Sequence, residues 1–159
     1  EGLGWYALIL AETLSLLPAA HAGREKVRAI LQDLVEGLAK VQDAKTGLWY
    51  QVVDKGDRPD NWHDTSGSAM FVYAIQRAIE LGCARAKRCG TVVQKGYQGI
   101  LAKARVGKDG LVDIHDACDG VCVQNSYADY VNYPKTVNAK EAVGSVLWAT
   151  TIVEKPSRA

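Results

Sequence analysis

The sequence predicts an all-α fold in which apolar helices line the inside of a toroid, or barrel, amphipathic helices cover its outside, and short extended segments occupy the rim loops. Three observations predict it. Two stretches, Gly2-Leu3-Gly4-Trp5-Tyr6-Ala7-Leu8-Ile9-Leu10 and Ser66-Gly67-Ser68-Ala69-Met70-Phe71-Val72-Tyr73-Ala74-Ile75, begin with small residues and run into helices too apolar for a surface. Each is followed by a segment with apolar residues at three- and four-residue spacing. Each of those is followed in turn by a Gly-Leu pair opening an extended stretch. The order inner helix, outer helix, turn thus occurs twice, and such internal similarity outranks any single element as a guide to architecture.

Taken in order, Trp5 to Leu17 is apolar around most of its circumference and reads as an inner helix buried on all sides. His21, between Pro18 and Gly23, belongs to an interhelical turn. Arg24 to Gln42 carries Val27, Ile30, Leu31, Leu34, Leu38 and Val41 on one face and charges on the other, an outer helix. Lys45 to Val53 reads as a turn and a short extended segment of β-branched and aromatic residues, and a polar loop runs through Pro59. The second unit repeats this with an inner helix from Ser68 to Leu81, an outer helix near Thr91 to Arg105 and a turn with an extended segment over Lys108 to Ile114. Gly47-Leu48 and Gly110-Leu111 mark equivalent points. A third inner helix is predicted from Asn138 to Glu154, with Asn138 and Glu141 spaced as a capping box and Val143, Val146, Leu147, Thr150 and Ile152 as its apolar surface. A Pro-containing tail follows.

Two hairpins and one further inner helix make less than half of a six-hairpin ring. The sequence is therefore expected to be a fragment of one α/α-toroid domain over residues 1–159, its open flank covered by a missing amino-terminal half or by oligomerisation. Composition narrows the partners. A formal net charge of +1 with 23% charged residues gives no bulk basic or acidic balance, and Arg85, Lys87 and Arg88 form only a short run without interleaved aromatics, so no nucleic-acid partner is expected. Glu12 interrupts the best apolar stretch, and no membrane partner is expected either. Cys83, Cys89, Cys118 and Cys122 could form two disulfides or remain thiols; with His115 near Cys118 a zinc site is a further reading, but the spacing is not that of paired metal knuckles, and no metal or other cofactor is expected. The compartment cannot be read.

Candidate chemistry concentrates before the second inner helix, in Asn61-Trp62-His63-Asp64-Thr65-Ser66-Gly67-Ser68. Thr65, Ser66 or Ser68 can cap that helix. Trp62 is either a core anchor or a platform on which a sugar ring stacks. His63 is either a hydrogen-bonded structural imidazole or a general acid or carboxylate-binding cation. Asp64 is either a charge at a helix N-terminus or a catalytic group. Tyr127, Tyr130 and Tyr133, with Asn125, Asn132 and Lys135, could border a sugar site or pack as an ordinary loop; His115 with Asp113 and Asp116 reads as a surface cluster.

His63 to Ala74, together with Glu1-Gly2-Leu3-Gly4-Trp5-Tyr6-Ala7-Leu8, resembles the carboxy-terminal part of the unsaturated rhamnogalacturonyl hydrolases, within the wider unsaturated glucuronyl hydrolase-like group. Ser66-Gly67-Ser68-Ala69-Met70-Phe71 carries the most specific part of the likeness, and Asp119 to Cys122 and Asn138 to Ala149 also fit. The resemblance implies an (α/α)6 barrel and release of the terminal Δ4,5-unsaturated uronic acid from lyase-generated pectin-type oligosaccharides. A carboxylic acid protonates the double bond, water adds at C5, and the hemiketal opens. The family's acid/base aspartate lies before the segment that Trp5 matches, so no catalytic residue is assigned here and this chain alone is expected to be inactive. Substrate-binding roles are expected for Trp5, Trp62, His63, Asp64 and Ser66. Thr65 stands where relatives often carry an acidic residue. The alternative is a non-catalytic helical toroid that binds carbohydrate or a protein partner.

Overall fold

The computed structural model describes residues 1–155; the expected Pro-containing tail falls mostly outside them. Five of the six helices of the described residues are arranged in two layers. The inner layer is α1 (Gly2–Leu16), α3 (Thr65–Glu80) and α6 (Lys140–Val153); the outer layer is α2 (Arg24–Val41) and α4 (Ala86–Leu101). Two small antiparallel hairpins, β1 (Ala104–Val106) with β2 (Val112–Ile114) and β3 (Ala117–Cys118) with β4 (Lys135–Thr136), and a short helix α5 (Tyr127–Val131) fill the connections.

Side-chain bonds show that the inner helices run in the same direction. At one end a Cβ on Gly67 would lie 3.4 Å from the Glu1 nitrogen, and Ser145 donates to the Ser66 carbonyl at 3.3 Å. Toward the other end Tyr73 and Arg77 of α3 reach Glu12 of α1, at 2.8 and 3.1 Å, and Lys155 reaches Glu80 at 2.9 Å. The three N-termini therefore gather on one rim, where the connecting loops also lie. The α1–α2 turn is fastened by Arg24, whose guanidinium donates to the Leu14 and Leu17 carbonyls at 2.7 and 2.6 Å and so satisfies part of the α1 C-terminus.

α3 is the hub. It packs against α1, α6, α2 and α4, and its Ala69, Phe71, Val72, Ala74, Ile75 and Ala78 belong to the main core with Leu14, Leu31, Val35, Leu38, Trp49, Val93 and Ile100. Trp49 is wholly enclosed, donates its indole N–H to the Leu38 carbonyl at 2.8 Å and meets Phe71 edge-on at 5.5 Å, so its apolar body and its polar handle are both satisfied. Gly4 is needed where α1 crosses α3: a Cβ there would sit 2.6 Å from the Met70 sulfur.

Several expectations are revised. α1 buries Gly4, Ala7, Leu8, Leu10, Ala11 and Leu14 but leaves Ile9 62% and Leu16 80% exposed, so it is covered on one side rather than all round. The second outer helix starts at Ala86 and ends at Leu101, because residues 104–106 pair with β2 instead. In the first rim loop only Tyr50 bridges, to His63, and no full strand forms. The capping box before α6 does not form: Asn138 adopts φ +60 and turns its side chain to the Ile114 N–H and to Asp113, both at 2.8 Å, leaving Ala139 at the cap. α6 packs on α3 through Ala142, Ser145 and Ala149, small residues that permit close approach, while Val143 and Leu147 face outward. Cys83, Cys89, Cys118 and Cys122 are free thiols, and no group of three or more metal-ligating side chains comes together among the described residues.

Candidate functional site on the rim

The rim loop before α3 divides its residues between structure and surface. Asp64 is the helix cap in place of Thr65, Ser66 or Ser68. Its carboxylate accepts from the Ser66 and Gly67 N–H groups at 3.1 and 2.8 Å, from the Ser66 hydroxyl at 2.7 Å and from the Cys118 N–H at 2.9 Å. Asp64 is 2% exposed and Ser66 is fully buried. Both were expected to line substrate; instead a helix N-terminus with orphan N–H groups has drawn the carboxylate inward. Ser68 and Thr65 complete the lock, Ser68 receiving the Trp49 N–H at 3.0 Å and Thr65 donating to the His115 carbonyl at 2.8 Å.

Trp62 and His63 are only partly buried and make separate contacts. The Trp62 indole N–H donates to the Val131 carbonyl at 2.9 Å, and the Lys135 ammonium lies 5.2 Å from its ring centroid. His63 stacks on Tyr50 at 4.2 Å and places Nε2 3.1 Å from an Asp43 carboxylate oxygen. Burial pushes the imidazole pKa below its ordinary value and Lys103 adds to this, outweighing the pull of Asp43 and Asp116 in the other direction. This direction favours the neutral ring over a cation waiting for a carboxylate, with Asp43 at 3.1 Å opposing it. Lys103 is itself held by Asp116 at 2.5 Å, so the expected surface cluster around His115 is an ion-pair and turn arrangement.

Trp5 lies on the concave side, where Leu8, Ile9, Glu12, Tyr73 and Trp148 line an apolar groove of about 380 Å³. Its indole N–H donates to the Glu1 carboxylate at 3.3 Å, whose other oxygen receives the Val121 N–H at 3.2 Å. Burial holds the Glu1 carboxyl above the ordinary range although both hydrogen bonds pull it down. Beyond Glu1 opens a second cleft of about 230 Å³, bordered by Gln51, Asp54, Val121 and Tyr130. The structure thus joins Trp5 to this cleft through Glu1. Sequence reasoning missed Glu1, Asp43 and Gln51. A signal for Gln51 was present: it is the lone amide in the otherwise apolar run Leu48 to Val53. Tyr130, one of the tyrosines that could border a sugar site or pack as an ordinary loop, borders the cleft.

Comparison with known proteins fits this architecture. The model of Glycosyl Hydrolase Family 88 matches residues 1–156. Protein Atu3128 of Agrobacterium fabrum is 34% identical over 105 residues, covering 64% of this chain and 43% of its own length. The unsaturated rhamnogalacturonyl hydrolase YesR of Bacillus subtilis is 29% identical over 131 residues, covering 82% of this chain and 34% of its own. Among solved structures, a family 105 glycoside hydrolase of C. acetobutylicum superposes with a TM-score of 0.89 at 32% identity, over 97% of this chain and 44% of that one. The chain spans less than half the length of each of these relatives. A structure titled as a polysaccharide lyase also matches, with a TM-score of 0.72 at 22% identity, so the fold by itself does not fix the reaction.

Proposed function

From the premise that the chain belongs to glycosyl hydrolase family 88, we propose that it forms one wall of the sugar-binding rim in an (α/α)6 glycoside hydrolase. The reaction is release of the terminal Δ4,5-unsaturated uronic acid from lyase-generated pectin-type oligosaccharides. The observation that carries this is the match along residues 1–156 together with the likeness to an enzyme named for unsaturated rhamnogalacturonyl substrates.

In that reaction a carboxylic acid delivers a proton to the double bond, water adds at C5, and the hemiketal so formed opens and frees the leaving sugar. The acid must keep its proton near neutral pH, which burial or a neighbouring carboxylate provides. The rim carboxylates here are held by neighbours: Asp64 by the α3 cap, Asp43 by His63 and Thr46, Asp116 by Lys103, and Glu1, though raised by burial, by the Trp5 and Val121 N–H groups. The proposal therefore places the proton donor on a part of the whole protein outside these 159 residues. Within this chain, Trp5 and Trp62 offer aromatic surface to sugar, neutral His63 offers a hydrogen bond, and Asp64 and Ser66 position the loop that carries them.

The test uses the whole protein. Incubation with lyase-generated oligosaccharides should abolish the absorbance of the conjugated double bond, and Trp5→Ala should raise KM more than it lowers kcat. Persistent absorbance with every unsaturated uronyl substrate, in a protein that still binds sugar, would leave the non-catalytic toroid as the answer.

A further inference from the structure

The outer layer holds a cavity of about 380 Å³, between α2 and the turn that joins the end of α3 to α4, away from the concave face and the sugar rim. Its volume falls within the roughly 300–1,000 Å³ of small-molecule sites. Cys83 and Cys89, 6% and 5% exposed, form its floor. Its mouth carries the exposed Asp33 and Glu36 of α2 on one side and the exposed Arg85 and Arg88 at the start of α4 on the other. None of these four charges enters an ion pair among the described residues, so the two sides face each other without closing the cavity.

The two thiols differ. Cys83 is engaged: its sulfur accepts from the Arg28 guanidinium at 3.2 Å, its S–H donates weakly to the Leu81 carbonyl at 3.6 Å, and burial pushes its thiol pKa up. The side-chain hydrogen bonds of sulfur among the described residues belong to Cys83 and Cys118, and Cys89 has none. Cys89 lies in the first turn of α4, which holds no acidic residue and no side-chain cap, and Arg85, Lys87 and Arg88 flank it. Unfilled helix N–H groups and neighbouring guanidinium groups favour a thiolate at such a place.

The mouth selects what reaches that sulfur. An anion would meet Asp33 and Glu36, and a cation would meet Arg85 and Arg88; a molecule carrying both signs finds a partner for each. We propose that the cavity takes up a small zwitterionic disulfide, of the class that cystine represents, and that Cys89 keeps half of it as a mixed disulfide. The Cys89 thiol gives its proton to water, and the thiolate attacks one sulfur of the ligand. The ligand S–S bond breaks as the new one forms, and the other half leaves as a thiolate that takes up a proton. The ligand's own disulfide is the oxidant, and a free thiol reverses the step. This site is independent of the sugar chemistry on the rim.

The test incubates the reduced whole protein with cystine or with the neutral 2-hydroxyethyl disulfide and follows each cysteine by peptide mass spectrometry. Cys122, exposed and outside the cavity, is the internal reference. Cystine should load Cys89 severalfold faster than Cys122, and the neutral disulfide, which the mouth does not select, should load Cys122 first. Glu36→Lys, on an exposed residue, separates recognition from thiolate activation because the two respond with opposite sign. It should slow cystine at Cys89 by about threefold to tenfold, the range of one or two exposed ion pairs, while the neutral disulfide reacts there at the same rate or faster. A Cys89 that cystine leaves unmodified, a Cys89-to-Cys122 ratio equal for the two disulfides, or an unchanged cystine rate in Glu36→Lys would each overturn the proposal and leave Cys89 as a small apolar side chain of the core.

Discussion

Asp64 and Gln51 stand on opposite sides of the Tyr50–His63 bridge in one rim loop, both buried and both polar, yet they are treated oppositely by the fold. Asp64 has its carboxylate filled by backbone and hydroxyl donors from α3 and β3. Gln51 has one amide atom paired and one not. Where every polar atom is satisfied from within, the residue holds structure together; where one is buried without a partner, it costs stability instead. The contrast also separates the two kinds of residue that crowd the entrance of α3 in sequence. Adjacency there reflects capping as much as chemistry.

The largest expected effect comes from breaking the satisfied side. Asp64→Ala removes the acceptor of the Ser66, Gly67 and Cys118 N–H groups together, and should destabilise the protein by about 4 kcal/mol, each orphaned buried donor costing about 1–3 kcal/mol with incomplete additivity. Asp64→Asn, a comparable cap, should recover at least half of this in denaturant titration. A loss below about 1 kcal/mol for Asp64→Ala would mean that the cap is not what holds the loop, and Asp64 would return as a functional candidate. Next in size is Trp62→Phe. It removes the hydrogen bond to the Val131 carbonyl and weakens, through the smaller ring, the contact with Lys135, and should cost about 1 kcal/mol.

The repeat and the layering were legible because they follow from periodicity, which burial imposes directly. The turn glycines bear this out: Gly47 and Gly110, marked as equivalent, both have positive φ, at 75° and 81°. Their following leucines part company, Leu48 buried at 1% exposure and Leu111 exposed at 68%. Backbone equivalence shows in the sequence, whereas packing depends on what lies opposite, and opposite Leu48 is Gly99 of α4. The same limit explains α1. Its composition says that it needs cover, but only three-dimensional neighbours decide which faces receive it, and Ile9 and Trp148 remain open on the concave groove. In the site, Trp62 and His63 were findable as residues with chemistry, but their partners Val131, Asp43 and Tyr50 lie 13 to 69 positions away, beyond any local pattern. The Asp64 cap was legible as one of two readings and was decided by β3, whose Cys118 N–H supplies a donor that no helix rule foresees.

On the unsatisfied side the sign should reverse. Gln51→Leu trades an unpartnered amide for a side chain of similar size and should stabilise the ligand-free protein by about 1 kcal/mol, the penalty of a buried unpaired polar atom being removed. The weak bond to the Cys118 sulfur is lost in exchange. A destabilisation larger than about 1 kcal/mol would place Gln51 with Asp64 as a structural residue and erase the contrast between them.

His63 lies between the two cases, and pH is the means to locate it. Its pKa is lowered in the folded protein, chiefly by burial, so the unfolded chain takes up the proton first as pH falls. Stability contributed by the neutral ring is therefore fully present above the ordinary histidine value near 6.5 and declines below it, until the folded protein also takes up the proton. The slope cannot exceed about 1.4 kcal/mol per pH unit for one group. Asp43 acts in a lower window: its pKa is also lowered, with burial opposing and the Thr46 hydroxyl the largest lowering contact, so its contribution fades only as pH falls through the acidic carboxylate range. His63→Asn should flatten the stability profile between about pH 6.5 and 5 while leaving the acidic limb in place. If the wild-type profile instead rises as pH falls through that interval, the protonated ring is the one the fold favours. His63 would then be a paired cation, satisfied by Asp43 as Asp64 is by its donors, rather than a neutral group free to hydrogen-bond a sugar.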